Sequence, residues 1–302
     1  HKHGRIRPRV IWAKAIASIA TLGTGGSGGR EGPTMQIGGA IGSLVAGFLR
    51  VGPRERRLLL VAGVAAGVSA VFRTPLGAAL LAVEVLYQDD FEAEAIVPAV
   101  LASVIAYSVV ISILGEATLF AHAPRYPFIP AHLPLYALLA VAISAVAATF
   151  VSMLHRVERW RERLPVPVWM RPAVGGVALG VAFYLLHFFV LSGFAPQGHG
   201  VGVLGGNYGA AQVAITGAEW LPDGWTGVRL LLILCVAKLV ASSLTIGSGG
   251  SAGDFAPSLV IGGLFGGAFG RAAALLSDDP RLDPGAFALV GMGAFYGGLA
   301  NV

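Results

Sequence analysis

The sequence has 302 residues, 55% of them hydrophobic and only 12% charged, with a formal net charge of +5. An average soluble domain is about 25% charged, so this balance excludes a globule surrounded by water. The basic residues flank apolar stretches and lack interleaved aromatic platforms, which argues against nucleic acid as a partner. Cys235 is the one cysteine, so an internal disulfide and a thiolate metal cluster are excluded, and it reads as a small apolar side chain.

In chain order, residues 1–9 are basic and polar, unlike a signal peptide, and apolar segments then continue to the end. Charge-free stretches occupy 32–49, 58–72, 95–115, 126–154 and 172–218. About 20 apolar residues cross a bilayer as helix, so the chain reads as an integral, multi-pass membrane protein with lipid as its surroundings. The longest stretch holds two spans, with a break at 196–209 in which His199 and Asn207 are loop formers. Lysine and arginine cluster at 50–57 and 156–171, and the second cluster reads as a cytoplasmic loop, whereas 277–283 is acidic.

Residues 13–42, AKAIASIATLGTGGSGGREGPTMQIGGAIG, recur 224 positions later at 237–266 as AKLVASSLTIGSGGSAGDFAPSLVIGGLFG, with half of the thirty positions identical. The match includes Lys14 with Lys238, Ser27 with Ser251, Gly29 with Gly253 and Pro33 with Pro257. It resumes after 60 and 289, with about four extra residues in the second copy. The fold class expected is therefore all-α, with inverted-topology repeats and broken helices: 1–130 as a first repeat incomplete at its N-terminal side, and 131–302 as a second incomplete at its C-terminal side.

Each copy reads as an apolar helix, a Gly-rich break, then proline one position into a new helix. Proline suits the first helical turn, where its missing N–H would be unpaired anyway. A helix start inside the membrane offers N–H groups and the positive end of the dipole, an anion site made of backbone. Glycines 38, 42, 262, 266 and 270 lie at helical spacing and read as close-packing positions. Glu31 is the carboxylate of the first break, with Phe255 in its place in the second. A carboxylate at a site built for anions competes with the ion, and so reads as a gate. Lys14 and Lys238, two to three turns before the breaks, read as structural groups that satisfy carbonyls or snorkel.

Gly29-Arg30-Glu31-Gly32-Pro33 and Gly253-Asp254-Phe255-Ala256-Pro257 resemble the two long anion-selectivity signatures of the CLC chloride channels and chloride/proton exchangers. Phe72-Arg73-Thr74-Pro75-Leu76 and Gly291-Met292-Gly293-Ala294 fit the same family. The resemblance implies a voltage-gated or exchanging homodimer, each subunit with its own pore, in a bacterial inner membrane, with chloride as substrate and no cofactor or metal. It places the gate at Glu31 and the anion ligands at Gly29, Arg30, Gly32, Asp254, Phe255 and Ala256, with Gly253, Pro33 and Pro257 completing the motifs. The family's early Gly-Ser-Gly-Ile-Pro segment and its late pore tyrosine have no counterpart in these residues, so the isolated chain is not expected to conduct.

Two departures stand out. Val85 occupies the position of the exchangers' inner proton glutamate, next to Glu84, which implies a channel or a weakly coupled carrier, with tight antiport as the alternative. Asp254 is an acid where the family has an apolar residue, and a desolvated pair with Arg30, its repeat equivalent of opposite charge, is expected to neutralise it. A rhomboid-like protease is a rival reading of Gly25-Gly26-Ser27-Gly28, with His187 as base; a dinucleotide motif at 23–28 lacks the strand it needs.

Overall fold

The computed structural model describes residues 4–86, 93–116, 126–127, 129–191, 202–206, 208–218, 220–277, 279 and 281–300. His199 and Asn207 lie outside the described residues. Among the described residues the regular structure is helical throughout, and the one extended pairing is an isolated antiparallel bridge between Gly29 and Gly253. By packing, the chain forms two compact units: His1–Ala20 with Arg30–Leu119, and Thr21–Gly29 with Phe120–Val302. The short Gly-rich segment after α1 (Arg9–Gly23) thus packs with the second unit.

In the first unit, α2 (Glu31–Phe48) is followed by α3 (Pro53–Phe72), α4 (Pro75–Leu86) and α5 (Ile96–Leu114). Prolines 53 and 75 open α3 and α4 in the first turn, where a missing N–H costs nothing. The central helix is α3, which packs on α2, α4 and α5 and buries Val61, Val64, Ala65 and Val68. A hydrogen bond of 2.8 Å from Ser69 Oγ to the Ser103 carbonyl ties it to α5. The pairing of α2 with α3 is antiparallel and close: a Cβ on Gly38 would overlap the Gly63 carbonyl, and one on Gly42 the Leu59 carbonyl. Arg54 bridges Glu94 at 2.6 Å, but both side chains are exposed and such a pair contributes little.

The second unit holds α6 (Leu133–Arg163), α7 (Arg171–Phe189), α8 (Gly209–Thr216), α9 (Gly224–Gly247), α10 (Phe255–Ser277) and α11 (Pro284–Ala300). Its α10–α11 pair repeats α2–α3, with Gly262 against the Gly291 carbonyl and Gly266 against the Phe287 carbonyl. The offset is 224 for the first helix of the pair and 228 for the second, which places the extra residues of the second copy between them. Residues 156–163, expected in a loop, instead form the last two turns of α6. That helix has 31 residues, about 47 Å, against about 30 Å of hydrocarbon, so its mixed-charge end extends beyond the apolar layer and remains hydrogen bonded as helix.

Among the described residues, five helical stretches are long and apolar enough to cross a membrane: Ala93–Leu114, Pro130–Arg163, Val168–Phe189, Gly224–Gly247 and Phe255–Ser277. Large apolar side chains such as Val97, Ile105, Val177, Phe188 and Val236 are exposed, as lipid-facing surfaces require. The protein is an all-α, multi-pass membrane protein.

The close α2–α3 contact predicts a contrast within one helix. Gly42→Ala should destabilise by about 1–3 kcal/mol, because backbone opposes the new methyl, whereas Gly47→Ala meets open space and should be neutral or slightly stabilising. Melting of the detergent-solubilised variants checks both. A second prediction concerns the turn between α10 and α11. Asp279 accepts from the Arg281 side chain at 3.0 and 3.1 Å and from the Arg281 N–H at 3.0 Å, and faces His132 Nε2 at 3.4 Å. The Arg281 side chain, then its backbone N–H, hold the Asp279 carboxyl well below the usual carboxylate range. A depressed folded value gives stability that is present above the unfolded pKa of about 3.9 and is lost as pH falls through the folded one. The melting temperature should therefore fall more steeply below about pH 4 in the parent than in Asp279→Asn.

Candidate anion site

Both Gly-rich breaks have the same local build. Helix α1 ends at Gly23 and α2 starts at Glu31; α9 ends at Gly247 and α10 starts at Phe255, each boundary 224 positions on. Gly25 and Gly249 take φ of 98° and 99°, a left-handed conformation that favours glycine. The following N–H turns back, from Gly26 to the Thr21 carbonyl at 2.9 Å and from Gly250 to the Thr245 carbonyl at 3.0 Å.

The segments Thr21–Gly29 and 245–253 then hold each other reciprocally. The Ser27 N–H donates to Thr245 Oγ1 at 2.9 Å, and the Ser251 N–H donates to Thr21 Oγ1 at 3.1 Å. Gly29 and Gly253 exchange N–H···O=C bonds of 2.7 Å in both directions. A contact in which i meets j and the equivalent of j meets the equivalent of i is the mark of a two-fold axis. Translation of one segment onto the other cannot produce it, so the two breaks are related by a local dyad running between Gly29 and Gly253.

The clasp engages a residue from each of the expected motifs: the Gly29 N–H donates to the Gly253 carbonyl, and the Gly253 N–H donates to the Gly29 carbonyl. Beyond the clasp each helix starts alike. Thr34 and Ser258, themselves equivalent, return their N–H groups to the Arg30 and Asp254 carbonyls at 3.1 and 2.9 Å. Their hydroxyls also bond within the first turn, Thr34 Oγ1 to the Arg30 carbonyl and Ser258 Oγ to the Phe255 carbonyl, each at 2.6 Å. Pro33 and Pro257 have no N–H, so neither donates from the first turn of its helix.

The side chains around these starts differ. Glu31 is 3% exposed, a buried acid in the first turn of α2, where the dipole favours negative charge. The Phe255 ring packs edge-on against Tyr296, centroids 4.4 Å apart, so its backbone is what it presents as a polar group. Arg30 and Asp254 are both exposed, so the burial expected of that pair is not found. Glu84 and Val85, at the end of α4, are exposed as well. Lys14 is half-buried, whereas Lys238 is buried and donates from Nζ to the Val203 carbonyl at 2.9 Å, as a structural cation would.

A model of the family described as voltage gated chloride channel matches residues 1–302. The chain belongs to the voltage-gated chloride channel family. Members of this family are channels and transporters and not enzymes, and the protease reading fails on the geometry too: Ser27 Oγ is buried and donates to the Val203 carbonyl at 2.9 Å. Relatives include the H(+)/Cl(-) exchange transporters ClcA of Salmonella agona (strain SL483) and Salmonella dublin, each 34% identical over 295 residues. The match takes in 95% of this chain and 57% of each relative, so the chain spans little more than half their length. Among solved structures, a slow cyanobacterial Cl-/H+ antiporter is similar with a TM-score of 0.78 and 25% identity, covering 95% of this chain and 63% of that one. A CLC-type fluoride/proton antiporter is similar with a TM-score of 0.71 and 27% identity, covering 99% and 68%.

Thr21, Thr245, Ser242 and Val203 were not singled out as site residues in the sequence, although Thr21 and Thr245 stand identical in the repeat. Their weight in the clasp is testable. Thr245→Val keeps the shape but removes the acceptor of the buried Ser27 N–H, and should cost about 1–3 kcal/mol. Thr21→Val strips the half-buried Ser251 N–H and should cost less. Thermal melting of the two variants checks the order.

Proposed function

We propose that this chain is the central part of a chloride transporter that exchanges the anion for protons, with the N–H groups at the starts of α2 and α10 as ligands and Glu31 as the gate. The observation that carries the reading is the buried Glu31 at a helix start that directly follows a clasped, Gly-rich break. A backbone cradle attracts an anion without a fixed cation that would hold it too tightly. A carboxylate in the same place competes with the ion when charged and withdraws when protonated, so anion movement and proton uptake meet in one side chain.

Exchange is favoured over a simple channel because the ClcA relatives and both structural neighbours are named as exchangers or antiporters. Chloride is favoured over fluoride because the curated relatives are named for chloride. Val85 is apolar, so a proton reaching Glu31 from the far side takes a route that does not titrate residue 85. Two copies of the full-length protein in a bacterial inner membrane are the assembly this reading implies.

Reconstituted in liposomes with an outward chloride gradient, the full-length parent should drive uphill proton uptake. Glu31→Gln should abolish the proton movement and its pH dependence while chloride flux persists or rises. Proton-independent flux in the parent would establish a channel, and loss of chloride flux in a folded Glu31→Gln variant would show that Glu31 builds the site instead of gating it.

A further inference from the structure

Lys238 lies on α9, two turns before Thr245, and is 1% exposed. Burying an amine is far costlier than burying an apolar side chain of that volume unless a partner receives it. Here the partner is the Val203 carbonyl, 2.9 Å from Nζ, and that same oxygen accepts from Ser27 Oγ at 2.9 Å. Ser27 Oγ also lies 3.1 Å from Ser242 Oγ, one turn beyond Lys238 on the same face of α9. The stretch 202–206 that carries this carbonyl turns through Gly202 and Gly205, at φ of 68° and 77°. A Cβ on Gly206 would touch Leu22 and the Gly28 carbonyl, so the stretch is laid directly on the clasp.

We propose that Lys238 is a positioning residue for anion binding: it holds the Val203 carbonyl where Ser27 meets it, and thereby fixes the Gly-rich segment that runs through Gly29 into Arg30 and the start of α2. The inference rests on the anion-transport reading above. Ser27 is fixed twice, by its N–H on Thr245 and by its hydroxyl on Val203, and three residues of glycine and arginine separate it from Glu31. Without Nζ the carbonyl retains one neutral donor, 202–206 relaxes from the clasp, and the freedom passes along glycine, which resists it least. The repeat does not reproduce this device in the second break: Ser251 Oγ has no hydrogen-bond partner among the described residues. The first break alone is pinned through its serine side chain.

The test measures chloride flux of the full-length protein in liposomes, as KM and maximal rate, together with the melting temperature. Lys238→Met keeps the volume but no donor, and should raise KM about tenfold, the effect of one charge-assisted hydrogen bond, with the maximal rate within about twofold. Lys238→Arg restores donors and should return KM to within about threefold of the parent. Ser27→Ala should raise KM in the same sense, and the double variant should exceed the larger single effect by no more than about twofold, because both residues act through one oxygen. A Lys238→Met variant that melts lower with KM unchanged, or single effects that simply multiply, overturns the proposal. If Lys238→Met does not fold, an unchanged KM in Ser27→Ala overturns it alone. A parent that moves no anion refutes the transport reading itself, an outcome separate from any of these.

Discussion

Irregular backbone at membrane depth has no water to satisfy it, and here it is satisfied by its own copy. Four reciprocal bonds, Ser27 to Thr245, Ser251 to Thr21, and the two between Gly29 and Gly253, join the Gly-rich breaks across a local dyad. An unpaired N–H in hydrocarbon costs several kcal/mol, so a single break of this kind would be a defect, whereas a symmetric pair closes on itself. The helices can stop and restart only because each interruption completes the other.

From that constraint the rest follows by covalent connection. The chain leaves the clasp at Gly29 and Gly253 with one residue to go before each helix begins, so each helix starts directly where the clasp ends. Proline at the third position then keeps the first turn short of donors of its own, while Gly38, Gly42, Gly262 and Gly266 let each new helix lie against its antiparallel successor at backbone distance. Sequence, local geometry and packing therefore repeat together, at 224 for the broken helix and 228 for the helix that follows.

Much of this was legible in the sequence. Lysine, serine, proline and paired glycines in register revealed the repeat, low charge revealed the membrane, and a lone carboxylate after a run of glycine pointed to Glu31. What stayed hidden had a physical reason in each case. Alignment shows that Gly29 and Gly253 are equivalent but not that they touch, so the clasp between them left no mark in the sequence. The Val203 carbonyl is backbone, which any residue supplies, and so left no trace in residue type. Residues 156–163 looked like a charged loop, yet Glu158 and Glu162 interleave with Arg159, Arg161 and Arg163 and are good helix formers outside the bilayer. The opposite charges of Arg30 and Asp254 suggested a buried pair, but charge says nothing of exposure, and both are exposed.

On the dyad itself, Gly28 faces its own equivalent, Ala252, and a methyl on Gly28 would fall inside the Ala252 methyl. At such a point a molecule built from two identical halves has few choices. Two alanines could not approach, and two glycines would leave a gap, so one methyl group shared between two positions is the close-packed solution. That single carbon makes the halves distinguishable where they are otherwise most alike. The contact therefore admits the alanine-bearing segment once and not twice, so the two breaks cannot be exchanged residue for residue.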